Sequence, residues 1–332
     1  MPEGPLIFST HHLHPEVSAQ LAKLGELRIA SDPGGSTLMQ EGAGCEYVVV
    51  RAPIPPELIA REKGLRAMIR HGAGLDMIPV EECSAAGVMV ANVPGVNART
   101  VAEHVIWTSM ALLRNHPVVN RDLRETSWEA GRGHADAARE LNSRTIGIVG
   151  MGNIGRIICR IATEAFAMNV LTHTRTPASV PQEAQAASLK DLLERSDVVV
   201  LCCPLTKETR GLIDAKALDR MKPDAVLVNV SRGPVIVEAD LVQAMRSGKL
   251  GGVALDVFEQ QPIARDHPLF DFPNVILTPH LAGITIESML RMGQGVVDEI
   301  ARIMSGELPK NFINPECLPR YKDRFGGSKP AA

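Results

Sequence analysis

Short apolar segments alternate with longer amphipathic ones from one end of the chain to the other. In the N-terminal third the apolar runs are PLIFST (5–10), YVVV (47–50), RAMIR (66–70) and GVMVAN (87–92). Gly or Pro residues bound these runs, and continuous apolar runs of this length are typical of parallel strands buried on both faces. The alternation therefore predicts strand–helix–strand units around a parallel sheet.

A second series of the same kind follows a long helical pattern over residues 99–124. There Val101, Val105, Thr108 and Leu112 recur at the spacing of one helix face. The later apolar runs are TIGIVG (145–150), NVLTHT (169–174), DVVVLCCP (197–204), DAVLVNVS (224–231), GGVALDV (251–257) and NVILTPH (274–280). A final helix is predicted over 284–304. The pattern as a whole predicts an α/β protein with two parallel sheets.

Composition narrows the class of protein. The 332 residues have a net charge of −3, which disfavours nucleic acid as a partner because phosphate binding needs clustered basic residues. Six cysteines without a Cys-x-x-Cys pair predict neither a disulfide framework nor a metal site. The N-terminus does not resemble a signal peptide, and no apolar run approaches 18 residues. We therefore expect a cytoplasmic protein with no membrane partner.

A glycine motif joins the strand TIGIVG to a helical pattern over 156–166. It reads Gly150-Met151-Gly152-Asn153-Ile154-Gly155, a G-x-G-x-x-G. In this position the first glycine makes a tight turn, the second lets the backbone approach a pyrophosphate, and the third lets helix and strand pack closely. The helix N-terminus then offers N–H groups to the phosphate. The motif predicts a dinucleotide site, the alternative being an ordinary glycine-rich turn.

The end of the next strand bears on the choice of nicotinamide cofactor. An acidic residue is expected there for NAD, but the chain reads Thr174-Arg175-Thr176. A carboxylate would repel a 2′-phosphate, whereas Arg pairs with it and hydroxyls hydrogen-bond to it. We therefore predict NADP as the preferred cofactor, with NAD as the alternative if Arg175 is only a solvated loop residue.

Several ordered motifs between about residues 45 and 310 resemble the D-2-hydroxyacid dehydrogenase family. This family includes D-3-phosphoglycerate, glyoxylate/hydroxypyruvate and D-lactate dehydrogenases, with formate dehydrogenase as a relative. The motifs are HGAGLDMIPV (71–80), NVPGVNARTVAEHVIWTSMALLRN (92–115), CPLTKETRGLI (203–213), VNVSRGPVIVEADLVQAM (228–245), GVALDVFEQQP (252–262) and LTPHLAG (277–283). The resemblance implies an oxidoreductase that moves a hydride between NAD(P)H and a small, anionic 2-keto or 2-hydroxy acid of the D series.

Two residues suit the catalytic roles that this reaction requires. Arg232, at a strand end before a Gly-Pro turn, has the planar fork that matches a carboxylate. His280, at another strand end, has an ordinary pKa near working pH, which suits a proton donor. On the residues alone, a surface Arg and a core His remain alternatives. The resemblance matches Arg232 and His280 to the family's catalytic arginine and histidine.

A third catalytic position departs from the family pattern. After Asp-Val-Phe the family has two variable residues, then Glu and Pro, whereas here Gln261 precedes Pro262. A carboxylate beside a histidine raises the imidazole pKa, but a neutral amide only orients the ring. We predict that Gln261 orients His280. Glu259 as a substitute carboxylate is the alternative, and Gln at this position also resembles formate dehydrogenases.

The remaining site residues come from a loop and from the resemblance. Ala73 and Gly74, in the turn HGAGLD, have N–H groups that suit an anion nest, the alternative being a plain turn. The resemblance assigns this loop to the substrate carboxylate. It also places Pro204, Ser231 and Asp256 among the cofactor-binding residues, with Asp256 near the nicotinamide carboxamide.

The organisation predicted from these motifs is a cofactor domain inserted into a substrate domain. We expect residues 1–98 and 286–320 to form the substrate domain, 99–285 to form the NAD(P)-binding Rossmann domain, and 321–332 to form a disordered tail. We also expect a homodimer. Two alternatives to the dehydrogenase remain: a formate dehydrogenase-like hydride transfer, and a catalytically weak NAD(P)-sensing co-regulator.

Overall fold

The computed structural model describes residues 4–326. Its chain forms two compact units. The first unit contains the chain up to Asn97 and again from Ile284 onward, and the second unit is Ala98–Gly283. The second unit is therefore inserted into the chain of the first.

Strands and helices are numbered in chain order. In the first unit, strands β1–β5 are Leu6–Ser9, Glu26–Ile29, Tyr47–Val50, Ala67–Arg70 and Met89–Asn92. Its helices are α1 (Pro15–Leu24), α2 (Gly35–Glu41), α3 (Pro56–Arg61), α4 (Val80–Ala86), α12 (Ile286–Met304) and α13 (Leu318–Phe325).

The sheet of the first unit is parallel, with the order β2-β1-β3-β4-β5. This is the flavodoxin-like order, in which the strand sequence reverses between β1 and β3. Alternate strand residues fill two cores: Phe8, Val48 and Met68 pack on one face, while Ile7 and Val49 belong to the other. Burial on both faces explains why these strands are continuous apolar runs rather than alternating ones.

The C-terminal return of the chain completes the first unit. A Cβ on Gly293 of α12 would lie 2.3 Å from a methyl group of Val17 on α1, so only glycine permits this close approach. Beyond α12, the buried Asn314 side chain accepts a hydrogen bond from the Val90 N–H at 2.8 Å and donates one to the Val88 carbonyl at 2.9 Å. These bonds attach the returning segment to β5.

In the second unit, strands β6–β12 are Thr145–Val149, Asn169–His173, Ala184–Ala186, Val198–Leu201, Val226–Asn229, Gly252–Leu255 and Val275–Leu277. Helices α5–α11 are Ala98–Leu113, His116–Glu125, Trp128–Arg132, Asn153–Phe166, Leu189–Arg195, Ala215–Arg220 and Glu238–Arg246. The sheet is parallel, with the order β12-β11-β10-β9-β6-β7-β8. This is a Rossmann sheet, and its strand sequence reverses between β6 and β9. The predicted α/β class with two parallel sheets is confirmed.

Three local features differ from the sequence prediction. The long helix expected over 99–124 is two helices, because Asn115 adopts a left-handed conformation (φ 52°) just before Pro117 in the first turn of α6. Strands β2 and β8 were not predicted. Both pair along one side only, at the sheet edges, and neither contains a fully buried residue.

The tail prediction is wrong for residues 321–326, because α13 is ordered through Phe325. The Arg324 guanidinium donates to the carbonyls of Lys63, Leu65 and Ala86. The Phe325 ring lies beneath the guanidinium of Arg66, 4.5 Å from the ring centroid. These contacts hold a segment whose polar composition suggested fraying. The rest of the predicted tail, 327–332, lies outside the described residues.

Candidate active site

The glycine motif forms the turn between β6 and α8. Gly150 has φ 103°, and a Cβ there would lie 2.8 Å from the backbone nitrogen of Cys203. A Cβ on Gly155 would lie 2.2 Å from the Gly150 carbonyl oxygen. These two glycines are therefore required by the turn itself and by the close packing of helix against strand.

Gly152 differs from its two neighbours in the motif. A Cβ on Gly152 would meet no atom within 4 Å, so the space beside it is open. Gly152 is the N-cap of α8, and no side chain caps the helix there. Asn153 and Ile154 begin the helix, whose first N–H groups have no intrahelical acceptor. An uncapped helix N-terminus beside open space fits a pyrophosphate, as the dinucleotide prediction requires.

The chain after β7 carries the residues predicted to distinguish NADP from NAD. Thr174 is half-buried, while Arg175 and Thr176 are exposed. The Thr176 N–H donates to the Thr174 hydroxyl at 3.4 Å. The Glu208 carboxyl has a pKa below its ordinary value, chiefly through a hydrogen bond from Thr206, and the positive charge of Arg175 adds a smaller effect. The guanidinium of Arg175 therefore lies near the loop that follows β9.

That loop begins at Pro204, whose side chain is exposed. The Thr209 hydroxyl donates to the Pro204 carbonyl at 2.7 Å and accepts from the Thr206 N–H at 2.7 Å. These bonds close the turn directly beside the Gly150 backbone, which Cys203 contacts. Pro204 thus lies at the point where the strand order reverses, the usual ligand position of such sheets.

Arg232 is held by a turn at the end of β10. The buried Asn229 side chain accepts from the N–H and hydroxyl of Ser231, at 3.0 and 2.7 Å, and donates to the Arg232 carbonyl at 3.1 Å. An Arg232 Nη1 donates to the Ser231 carbonyl at 2.7 Å. The Ser231 hydroxyl is therefore used in a hydrogen bond that stabilises the turn. Asn229 was missed by the sequence analysis, although a polar residue ending an apolar strand was a usable signal.

His280 is presented by a turn that Asp256 holds. Asp256 follows β11 and is only 3% exposed. Its carboxylate accepts from the Thr278 hydroxyl at 2.6 Å and from the N–H groups of Leu281 and Ala282 at 2.8 and 2.9 Å. The His280 N–H donates to the Asp256 carbonyl at 2.9 Å. These bonds stabilise the left-handed conformation of His280 (φ 54°), which costs a non-glycine residue about 1 kcal/mol.

Gln261 contacts the imidazole of His280. Its amide oxygen lies 3.1 Å from His280 Nδ1. An amide oxygen only accepts, so this contact is a hydrogen bond in the tautomer that carries a hydrogen on Nδ1. Glu259, the alternative partner, instead donates its N–H to the Glu238 carboxylate at 3.1 Å. The other oxygen of Glu238 bonds to His267 Nε2 at 2.9 Å. A neutral amide therefore occupies the position beside Nδ1.

In the first unit, the loop after β4 turns its carbonyls inward. The Gly72 carbonyl accepts from the Val93 N–H at 2.9 Å, and the Ala73 carbonyl from Asn92 Nδ2 at 2.8 Å. The Gly74 carbonyl accepts from Arg70 Nε at 3.0 Å. Within residues 4–326 the N–H groups of Ala73 and Gly74 have no acceptor. An arrangement of unpaired N–H groups opposite bonded carbonyls suits an anion.

The second unit brings most of the predicted residues to one edge of one sheet. The glycine motif, Pro204, Arg232, Asp256 and His280 all follow the carboxyl ends of its strands. Ligands of open α/β sheets bind at this edge. In the part of the chain that the structure describes, no helix is long and apolar enough to cross a membrane. The same residues contain no group of His, Cys, Asp or Glu side chains arranged to bind a metal ion.

Comparisons with known proteins agree with this arrangement. Residues 106–282 match the profile described as D-isomer specific 2-hydroxyacid dehydrogenase, NAD binding domain. The chain is 34% identical to a glyoxylate reductase of Korarchaeum cryptofilum, over 95% of this chain and 97% of that protein. It is 32% identical to a D-3-phosphoglycerate dehydrogenase of Methanocaldococcus jannaschii, over 98% of this chain. The chain spans 62% of the length of that second relative.

A solved structure shows the same architecture. The crystal structure of an NADPH-dependent glyoxylate/hydroxypyruvate reductase from Sinorhizobium meliloti, in complex with citrate, has a TM-score of 0.81 and 28% sequence identity. The match covers 94% of this chain and 99% of that one. The similarity therefore extends over both units.

Proposed function

The chain belongs to the family of D-isomer specific 2-hydroxyacid dehydrogenases, and we propose that it transfers a hydride between NAD(P)H and a small 2-keto or 2-hydroxy acid. The observation that carries this proposal is the hydrogen-bonded pair of His280 and Gln261, at 3.1 Å, on the sheet edge that also bears the glycine motif. A proton-transfer group and a dinucleotide site on one sheet edge are what carbonyl reduction by hydride requires.

The proposed chemistry assigns separate tasks to His280 and Arg232. When bound, the nicotinamide cofactor supplies or accepts the hydride. His280 donates a proton to the carbonyl oxygen during reduction and removes it during oxidation; because Nδ1 is bonded to Gln261, the exchanging atom is Nε2. Arg232 stabilises the negative charge that develops on that oxygen and pairs with the substrate carboxylate. Asp256 and Asn229 hold the two turns that present these side chains.

The substrate carboxylate is proposed to bind the unpaired N–H groups of Ala73 and Gly74. Two N–H groups on successive residues match the two oxygens of a carboxylate. The guanidinium of Arg70, bonded to the Gly74 carbonyl at 3.0 Å, adds positive charge beneath the loop. Net charge does not attract the anionic substrate, because the chain carries −3 overall, so these local groups must do so.

For the cofactor we propose a preference for NADP over NAD. Arg175 is exposed after β7, where a 2′-phosphate would lie. Residues 174–176 are Thr, Arg and Thr, so this segment has no carboxylate to repel the phosphate. Replacing Arg175 by Gln is expected to raise the KM for NADPH about tenfold and to leave the KM for NADH unchanged, since only NADPH carries the phosphate. Arg160→Gln, on the exposed side of α8, is the matched control. Equal changes for both cofactors would reject the preference.

The proposed function is tested by following NADPH and NADH oxidation with glyoxylate, hydroxypyruvate and pyruvate. Turnover with at least one of these 2-keto acids is expected. Formate oxidation is a second candidate, favoured by the neutral Gln261 beside His280, because hydride leaves formate without a proton transfer. Reduction of NAD(P) by formate, together with no turnover of any 2-keto acid, would replace the first proposal by the second.

We also propose a homodimer, formed through α5, α6 and α7 of the second unit. Trp107 and Trp128 are 53% and 67% exposed, and Leu123 is 47% exposed. Leu123 and Trp128 line an apolar groove of about 370 Å³, and α6 contains no buried residue. Exposed large apolar side chains around such a groove favour coverage by a second copy of the chain. Sedimentation is expected to show a dimer that Trp128→Glu dissociates; a monomeric wild type would contradict this.

A cytoplasmic location is proposed as well. The six cysteines of the chain are all present as thiols, five of them buried, which suits a reducing compartment. Fractionation of the source cells, with detection of the chain in the cytosolic or another fraction, tests the location.

A further inference from the structure

We propose that Arg70 and Asn92 are positioning residues for the substrate carboxylate, acting through the loop of residues 72–74 without touching the substrate. The inference rests on the proposed function of this loop as the carboxylate site. Neither residue belongs to the groups assigned above to proton transfer or cofactor binding. Arg70 is the last residue of the apolar strand β4, and Asn92 is the last residue of the apolar strand β5. A polar side chain at such a position needs a specific hydrogen-bond partner.

Arg70 links the loop to two strands through its guanidinium. Nε donates to the Gly74 carbonyl at 3.0 Å, while Nη1 donates to the carbonyls of Val50 and His71 at 2.9 and 2.8 Å. The fork therefore joins the ends of β3 and β4 to the far side of the loop. A lysine ammonium is a single point with no planar fork and cannot span these three carbonyls in the same geometry.

Asn92 supplies the second attachment from the adjacent strand. It is the β-sheet partner of Arg70 in the register of β4 and β5, and it is only 8% exposed. Its Nδ2 donates to the Ala73 carbonyl at 2.8 Å. The next residue, Val93, donates its N–H to the Gly72 carbonyl at 2.9 Å. Two neighbouring strand ends therefore hold three consecutive carbonyls of one loop.

The consequence for binding follows from peptide geometry. In a short loop whose carbonyls are all held on one side, the following N–H groups are directed to the other side, where Ala73 and Gly74 have no acceptor among the described residues. Gly72 has φ 135°, a backbone conformation that favours glycine. Other residues rarely adopt this conformation, so the loop needs further contacts to hold it. Arg70 and Asn92 are the side chains that stabilise it.

The test compares Arg70→Lys and Asn92→Asp with the wild type in steady-state kinetics. Asn92→Asp is nearly isosteric but places a carboxylate oxygen against the Ala73 carbonyl. Each variant is expected to raise the KM for the 2-keto acid about tenfold, with a smaller change in kcat, because loss of the hydrogen bonds loosens carboxylate binding. The Kd for NADPH, measured by nucleotide fluorescence, is expected to stay within about twofold, because the glycine motif is in the other unit.

Arg66→Lys is the matched control, because Arg66 immediately precedes β4 and Arg70 ends it. Arg66 bonds to Glu46 at 2.9 Å and lies over the Phe325 ring, so its replacement lowers stability without touching the loop. If Arg70→Lys and Arg66→Lys lower Tm by the same amount, only Arg70→Lys is expected to raise the KM for the 2-keto acid. A KM within about twofold of wild type in Arg70→Lys, or an equal rise in both variants, would overturn the proposal.

A binding measurement separates this proposal from the proposed function. Oxamate, a carboxylate analogue of a 2-keto acid, is titrated into the NADPH-bound protein by calorimetry. If no 2-keto acid is turned over but wild type binds oxamate and Arg70→Lys binds it about tenfold more weakly, the loop assignment stands and the reaction assignment fails. If wild type turns over 2-keto acids but oxamate affinity is equal in both proteins, the proposal about Arg70 fails alone. If wild type does not bind oxamate, the proposal also fails.

Discussion

Replacing Gln261 by Glu puts a negative charge beside the imidazole of His280, the proposed proton donor, at a distance that the structure defines. The Gln261 amide oxygen lies 3.1 Å from His280 Nδ1. Both side chains are exposed. The dielectric constant of water therefore gives a lower limit for the energy of the interaction between the two charges. At that separation a carboxylate stabilises the imidazolium by about 1.3 kcal/mol, which corresponds to about one pH unit.

The assay is the pH dependence of kcat/KM in both directions. Reduction requires the imidazolium, so its rate falls as pH rises, and Gln261→Glu is expected to move this alkaline limb upward by about one pH unit. Oxidation requires the neutral ring, so its acidic limb is expected to move upward by about the same amount. Gln260→Glu adds the same charge at the neighbouring exposed residue and is the matched control. If neither limb moves in Gln261→Glu, or if both limbs move equally in the control, the proposed effect of residue 261 on the His280 imidazole is wrong.

Three further predictions follow from contacts at the site and beneath it. Gly152→Ala is expected to keep the wild-type Tm but weaken NADPH binding about tenfold, because a Cβ at Gly152 meets no atom within 4 Å. Gly155→Ala is expected to lower Tm, because a Cβ there would lie 2.2 Å from the Gly150 carbonyl oxygen; equal Tm losses in the two variants would contradict this. Asp256→Asn is expected to lower the free energy of unfolding in urea by about 2 kcal/mol, since an amide cannot accept all three hydrogen bonds that hold the turn; an unchanged value would contradict it. Burial, with Arg51 and Arg70 nearby, lowers the pKa of His71 from 6.5 to about 3. The unfolded chain therefore takes up a proton below the ordinary pKa that the folded chain does not, and stability is expected to fall by about 2 kcal/mol between neutral pH and about pH 5. His71→Leu should remove this loss while His116→Gln should not, and an unchanged pH slope in His71→Leu would count against the assignment.

Features encoded by neighbouring residues could be predicted from the sequence. The glycine motif was recognised because its spacing, the strand before it and the helix after it are all local. The strands of both sheets were found where both faces are buried, because burial makes each a continuous apolar run. Arg232 and His280 were predicted as catalytic residues from motifs at strand ends that resemble the family. In the structure Gln261, rather than Glu259, contacts the His280 ring.

Features that depend on pairing across the fold could not be predicted in this way. Arg70 and Asn92 act on one loop because β4 and β5 place them side by side, and they are 22 positions apart in sequence. The edge strand β2 lacks a fully buried residue, so its pattern does not stand out. The order of α13 depends on Arg324, which bonds to carbonyls more than 200 residues earlier. Local composition does not contain this information.

His280 and Arg232 are proposed to carry out D-specific reduction of a 2-keto acid. The most direct measurement reduces a prochiral 2-keto acid such as pyruvate with NADPH and separates the product by chiral chromatography, for wild type and for His280→Gln and Arg232→Gln. We expect the D-2-hydroxy acid from wild type and a fall in kcat/KM of about a hundredfold or more in each variant, with the Kd for NADPH preserved. The L product, or variants that turn over as fast as wild type, would contradict it.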